Sequence, residues 1–194
     1  MKKLNMFATI IALFLIQSMV FGNDLQKPDM KSKDDTTKKC SKIDIEVKEI
    51  EASKALTIRA TTPSGEISTK LGEIYQDIID CMNENEIEMA GPPFARYYSW
   101  DPEGDTDLEA GMPVYEEAEC EGVIEFVELP ACKVVTSLHV GPYESLGPVY
   151  EAIQEYIDKK GLKINGAVWE VYLTDPATEP DPNNYKTQVY YPVE

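Results

Sequence analysis

Apolar and charged residues alternate at Ile43-Asp44-Ile45-Glu46-Val47, the two-residue period of a half-buried strand. A turn at Glu51-Ala52-Ser53 leads into a second extended run, Ala55-Leu56-Thr57-Ile58. The period then changes. Leu71, Ile74, Tyr75, Ile78 and Met82 fall three and four residues apart, the apolar stripe of a helix, and Asn85 is placed to end it. Phe94 to Ser99 and Leu108 to Val114 predict two further strands, joined by an acidic loop containing Pro and Gly. The same succession then returns. Ile124-Glu125-Phe126-Val127 and Val134 to Val140 predict a hairpin around Leu129-Pro130-Ala131, and Gly141 to Ser145 opens a helix. That helix is striped by Leu146, Val149, Tyr150, Ile153, Tyr156 and Ile157 and stopped at Gly161. Val168 to Leu173 and Thr187 to Tyr191 close the sheet, with a long proline-rich loop from Asp175 to Tyr185 between them.

The two halves are copies. Ile45-Glu46 recurs as Ile124-Glu125, Leu71-Gly72 with Tyr75 as Leu146-Gly147 with Tyr150, and Pro113-Val114 as Pro192-Val193. Gly91-Pro92-Pro93-Phe94-Ala95-Arg96-Tyr97 aligns with Gly166-Ala167-Val168-Trp169-Glu170-Val171-Tyr172. A repeat of this length is one supersecondary unit used twice. The expected class is α+β: a pseudo-symmetric duplication of a strand–helix–strand module, an antiparallel sheet with one helix per repeat, and a ligand cleft between repeats. Repeat one spans residues 42–116 and repeat two 120–194, within a folded domain of residues 42–194.

Residues 1–22 read as a secretory signal. Lys2 and Lys3 give a positive start, Phe7 to Ile16 a short apolar run, and Val20-Phe21-Gly22 an acceptable cleavage site. The run is too short for a comfortable membrane span. The chain is therefore expected to be exported, periplasmic or secreted, with no stable membrane span after cleavage. Residues 23–41 are polar and read as a disordered tether. The chain carries 18 basic and 35 acidic residues; losing Lys2 and Lys3 with the signal leaves 16 against 35, a net charge of −19. That balance repels phosphate backbones and argues against nucleic acid as a partner, while drawing in cationic solutes. Four cysteines in an exported chain permit disulfides. Cys40 and Cys120 each precede the first strand of a repeat, so a Cys40–Cys120 bridge is expected, with Cys81 a buried thiol on its helix. There is no CxxC and a single histidine, so neither a metal site nor a cofactor is called for.

The candidate chemistry lies on the strand 168–173. Alternate residues share a face, so Trp169, Val171 and Leu173 are expected to pack under the helices. Val168, Glu170 and Tyr172 then face a cleft that Ala95 and Tyr97 line from the first repeat; Arg96 falls awkwardly among helix-facing positions. A carboxylate between apolar neighbours is costly unless paired, protonated or set in a wet cavity. Glu170 therefore has two uses. It is a ligand-binding residue for a cationic, aromatic small molecule, with Tyr97, Tyr143, Tyr172 and Trp100 supplying ring faces. Alternatively it is a catalytic acid or base, with a tyrosine hydroxyl assisting. A third reading is a non-catalytic interaction protein with a vestigial cleft. His139 reads as a structural histidine, and Tyr75, Tyr150 and Tyr156 as core residues by their helical spacing.

Leu129-Pro130-Ala131, His139-Val140-Gly141-Pro142-Tyr143-Glu144-Ser145-Leu146, Trp169-Glu170-Val171-Tyr172-Leu173-Thr174-Asp175-Pro176 and Tyr191-Pro192-Val193 together resemble the GyrI-like, AraC-type effector-binding domain family. The resemblance covers the domain from about Lys42 to Glu194. It implies two modules flanking a ligand cleft, with Glu170 at the family's central carboxylate. It also implies small, often cationic and aromatic ligands. Some stand-alone members resemble hydrolases that open electrophilic molecules with that glutamate and an aromatic hydroxyl. The haem-binding branch of the superfamily fits less well, since His139 alone offers no axial pair.

Overall fold

The computed structural model describes residues 43–194. The segments read as a signal and a tether, and Cys40 with them, lie outside the described residues. Among the described residues, eight strands form one antiparallel sheet with two α-helices. The first repeat supplies β1 (Glu46–Ile50), β2 (Ser53–Pro63), α1 (Ile67–Glu84), β3 (Phe94–Ser99) and β4 (Asp105–Val114). The second supplies β5 (Glu125–Leu129), β6 (Cys132–Val140), α2 (Gly147–Lys160), β7 (Val168–Tyr172) and β8 (Lys186–Pro192). Asn85 caps α1, and Gly161 ends α2 in the left-handed conformation at φ 66°.

The strand order β1-β6-β8-β7-β3-β4-β2-β5 reads the same from either margin once the repeats are exchanged. It also corrects the expected hairpin. β5 pairs with β2 and β6 with β1, so each repeat lends its first strand to the other. The links are short: Glu51-Ala52 between β1 and β2, and Pro130-Ala131 between β5 and β6. Each joins strands six places apart. Three Cα–Cα steps reach at most about 11 Å, whereas six strand spacings in a flat sheet would need about 29 Å. The sheet must therefore curl until its margins approach each other. A small core fills the inside of that curl: Ala55, Phe94, Leu129 and Trp169, with Ile50, Val127, Val171 and Tyr190 packed against them. Phe94 faces Gly111 across the ladder, where an added Cβ would meet the Phe94 ring at 2.9 Å.

The helices cover the other face. Leu71, Ile74, Ile78 and Met82 of α1 join Leu56, Ile58, Leu108 and Met112 of β2 and β4 in one core. Val149, Ile153 and Ile157 of α2 join Val135, Val189 and Tyr191 of β6 and β8 in another. Each helix thus sits on its own repeat, and the central strands β3 and β7 run between them. This reverses one expectation. Trp169 and Val171 pack inside the curl rather than under the helices, because that face has a core of its own. Arg96 lies on the same inner face, directly opposite Trp169 in the β3–β7 ladder. Its guanidinium stacks 4.8 Å over the Trp169 ring and its Nη1 donates to Glu109 Oε2 at 3.1 Å. The Tyr98 hydroxyl donates to the same oxygen at 2.7 Å. The irregularity in β3 lies further on, between Tyr97 and Ser99.

The cysteine expectation is also overturned. Cys120 is bonded to Cys81, with the two Cα atoms 6.0 Å apart, and Cys132 is the free thiol among the described residues. Cys81 lies in the last turns of α1, and the connection from β4 to β5 packs Ala118 and Cys120 back against that helix and its core.

Candidate functional site

Ala95 pairs directly with Glu170 in the β3–β7 ladder. These two residues are also equivalent in the repeat, so the pseudo-twofold axis of the sheet passes between them. The neighbours Tyr97 and Tyr172 are related by the same axis, as are Tyr75 on α1 and Tyr150 on α2. Four phenols from four elements therefore flank this axis, and three of them bond the single carboxylate beside it.

Glu170 is 7% exposed. Leaving a carboxylate there without partners would cost several kcal/mol, and phenol O–H donors offset that cost. Tyr172 donates to Glu170 Oε2 at 2.7 Å and Tyr97 to the same oxygen at 3.3 Å. Tyr150 donates to Oε1 in a short contact. The Tyr97 and Tyr172 hydroxyls are themselves 3.2 Å apart. In the first repeat, where Ala95 offers no carboxylate, Tyr75 donates instead to the Phe94 carbonyl at 2.9 Å. Burial, and after it the neighbouring carboxylate, pushes the Tyr97, Tyr150 and Tyr172 pKa values well above the ordinary phenol range. These hydroxyls are donors at neutral pH.

A cavity of about 620 Å³ opens over this cluster, between the N-terminal ends of the two helices. Its volume lies within the roughly 300–1,000 Å³ usual for small-molecule sites. Glu170, Tyr75, Tyr97 and Tyr172 are among its walls, with Leu71 of α1, Leu146 beside α2, Pro92 and Pro93 before β3, and residues Leu173 to Pro176 beyond β7. Tyr143 enters from the turn after β6. Gly141, at φ 142°, shapes that turn, and an added Cβ there would meet Ser145 Oγ at 3.2 Å and His139 Nε2 at 3.3 Å. His139 Nε2 lies 3.0 Å from Ser145 Oγ and 3.1 Å from the Pro142 carbonyl, so the histidine braces the turn. The Tyr143 ring meets Tyr172 edge-on at 5.6 Å and Tyr185 at 5.4 Å.

Of the residues singled out in the sequence, Glu170, Tyr97, Tyr172 and Tyr143 come together in this cavity. Trp100 does not line it; it is 64% exposed beyond the end of β3. Tyr150, read as core from its stripe position, binds the central carboxylate. The repeat held the available signal, since Tyr150 is the mate of Tyr75 and both stripes point at the axis strands. Ionisable lining residues besides the tyrosines are Glu170, Asp175 and Lys186. Among the described residues, no group of three His, Cys, Asp or Glu side chains is placed to hold a metal ion, and no helix is long and apolar enough to cross a membrane.

Three solved structures place this fold among known ones. The EcmrR C-terminal domain superposes with a TM-score of 0.68 at 24% identity, covering 78% of this chain and 98% of that one. EcmrR in its DNA complex matches with a TM-score of 0.72 at 24% identity, over 78% of this chain; this chain spans 57% of the length of that one. SAV2435 bound to tetraphenylphosphonium matches with a TM-score of 0.56 at 12% identity, over 78% of this chain and 94% of that one. No curated protein matches. The family model for the GyrI-like small molecule binding domain matches residues 43–194, and the chain belongs to that family.

Proposed function

We propose that this protein is an exported binding protein for cationic, aromatic small molecules, held in an acidic, aromatic cleft with Glu170 at its floor. The observation that carries this reading is the axis pair. The fold is satisfied by Ala95 on one side, yet the other side places a carboxylate at 7% exposure under a 620 Å³ cavity. A cation entering the cavity meets that charge at low dielectric and the faces of Tyr143, Tyr97 and Tyr172 around it. SAV2435, a structural neighbour, is bound to tetraphenylphosphonium, which makes that cation the natural first probe. Export is supported by the Cys81–Cys120 bridge, since disulfides persist in oxidising compartments.

Calorimetric titration of the protein with tetraphenylphosphonium and with neutral triphenylphosphine oxide tests the reading. The cation should bind at least tenfold more tightly, the scale of one charge-assisted contact. Equal affinities would remove the role of charge. A second reading is hydrolysis of electrophilic small molecules. It is favoured by a carboxylate within hydrogen-bonding distance of protonated phenols, an acid and a base in one cavity. Turnover of an epoxide or activated ester that disappears in Glu170→Gln would establish it.

A further inference from the structure

The fold is pseudo-symmetric, but the cavity is not. α1 lends it Ile67, Ser68, Leu71 and Tyr75, about two helical turns of wall, whereas no residue of α2 lies on it. One pair of repeat mates accounts for the difference. Pro113-Val114 matches Pro192-Val193, so Met112 corresponds to Tyr191. The ladders agree. Met112 pairs with Leu56 and Tyr191 with Val135, and each of these partners precedes a matched threonine, Thr57 or Thr136. Met112 belongs to the core under α1 and Tyr191 to the core under α2. Tyr191 is 8% exposed, and its ring meets that of Tyr150 on α2 edge-on at 6.2 Å. Burial first, and Glu170 after it, push the Tyr191 pKa up to about 12, so the phenol lies within electrostatic reach of the axis carboxylate. Met112, at 1% exposure, is instead the closed end of the cavity beside Leu71 and Tyr75.

We infer that the Met112 end of the cavity is a subsite for one aryl group of the ligand, and that Met112 sets its depth. The second repeat displays the occupant of the equivalent space: an aromatic ring seated against a helix tyrosine and supplied by the chain itself as Tyr191. The first repeat keeps the matching helix tyrosine, Tyr75, and adds apolar wall from Ile67 and Leu71. In place of the ring it has a narrower, unbranched side chain. A thioether packs favourably against aromatic rings and adapts to their outline. The ligand's ring thus completes in the first repeat the packing that Tyr191 completes in the second. This inference rests on the proposed binding of cationic, aromatic molecules and adds the part of the cavity that takes the ring.

The test uses the full chain and two monocations that differ by one ring, tetramethylphosphonium and trimethylphenylphosphonium, titrated by calorimetry. The parent should bind the phenyl cation at least about tenfold more tightly, the scale of burying one phenyl-sized group. Met112→Tyr supplies the ring from the chain, as Tyr191 does, and should bring that ratio below about threefold. Met112→Ala lengthens the subsite and should raise the preference for a naphthyl over a phenyl cation about fivefold above that of the parent. Thermal unfolding establishes that each variant folds. A parent ratio near one overturns the subsite, as does a folded Met112→Tyr that keeps the parent's ratio. If Met112→Tyr does not fold, Met112→Ala decides, and no gain for the naphthyl cation overturns the subsite. Glu170→Gln separates the two ideas. It should weaken both monocations, and if it weakens neither, the binding role of Glu170 fails, while the aryl subsite stands or falls on the phenyl-to-methyl ratio.

Discussion

Ala95 and Glu170 stand opposite each other in the β3–β7 ladder and are each other's mates in the internal repeat. The sheet places them on its pseudo-twofold axis, so every side chain that approaches one has a counterpart approaching the other. The difference between a methyl and a carboxylate at this point is what breaks the symmetry of the molecule. Tyr75 turns to a backbone carbonyl, and Tyr150 turns to an acid.

That relationship predicts unequal effects from equivalent changes. Tyr75→Phe and Tyr150→Phe each remove one buried hydrogen bond, and each should lower stability by about 1–2 kcal/mol, read from urea unfolding. Only Tyr150→Phe should also alter the affinity for tetraphenylphosphonium, because of the two helix tyrosines only Tyr150 bonds the central carboxylate. Equal shifts in affinity for the two variants would mean that the helix tyrosines act through packing alone.

The disulfide closes a loop with a sequence separation of 39 residues. Chain-entropy arguments give such a loop about 3–4 kcal/mol of stabilisation, so Cys81→Ser should lower stability by a comparable amount. Peptide mapping after alkylation without reduction should recover Cys81 linked to Cys120 and Cys132 alkylated. A Cys40–Cys120 peptide would contradict the pairing.

The buried phenols make stability sensitive to alkali. Tyr75, Tyr97, Tyr150 and Tyr172 all have pKa values raised above the ordinary phenol value of about 10, primarily by burial, and Tyr191 is pushed up to about 12 for the same reason. A pKa raised in the folded state means the protonated form is favoured there. The contribution is fully present below pH 10 and is lost as pH rises above it. Absorbance titration at 295 nm should therefore show a late, steep ionisation that coincides with loss of near-ultraviolet circular dichroism. A gradual titration of all tyrosines with the fold intact would contradict the buried cluster.

Much of this arrangement is legible in the sequence. The period-two and helical stripes locate the strands and helices, and Phe94 to Ser99 is found at its observed limits. Parity correctly divides Trp169 and Val171 from Val168, Glu170 and Tyr172. The face that carries the helices is not legible, because both faces are apolar: the curl gives Phe94 and Trp169 a core of their own. Exchange of β1 and β5 between repeats is hidden for a related reason. Alternation fixes which side of a strand is buried but says nothing of its partner, and a two-residue link normally means a hairpin. The Cys81–Cys120 pairing depends on where the connection between repeats passes α1, which only the assembled fold determines. Tyr150 sits on a stripe whose positions are otherwise core.

The most direct test is titration of Glu170→Gln beside the parent with tetraphenylphosphonium and triphenylphosphine oxide, together with thermal unfolding of both proteins. Glutamine keeps an acceptor for the phenols and lets their oxygens accept from its amide, so stability should change by less than about 1.5 kcal/mol. Loss of the charge should weaken the cation by about 1.5–3 kcal/mol, roughly ten- to hundredfold, and affect the neutral analogue much less. If the variant binds the cation as well as the parent, or if it fails to fold, Glu170 is a structural hydrogen-bond hub and the proposed binding site loses its central residue.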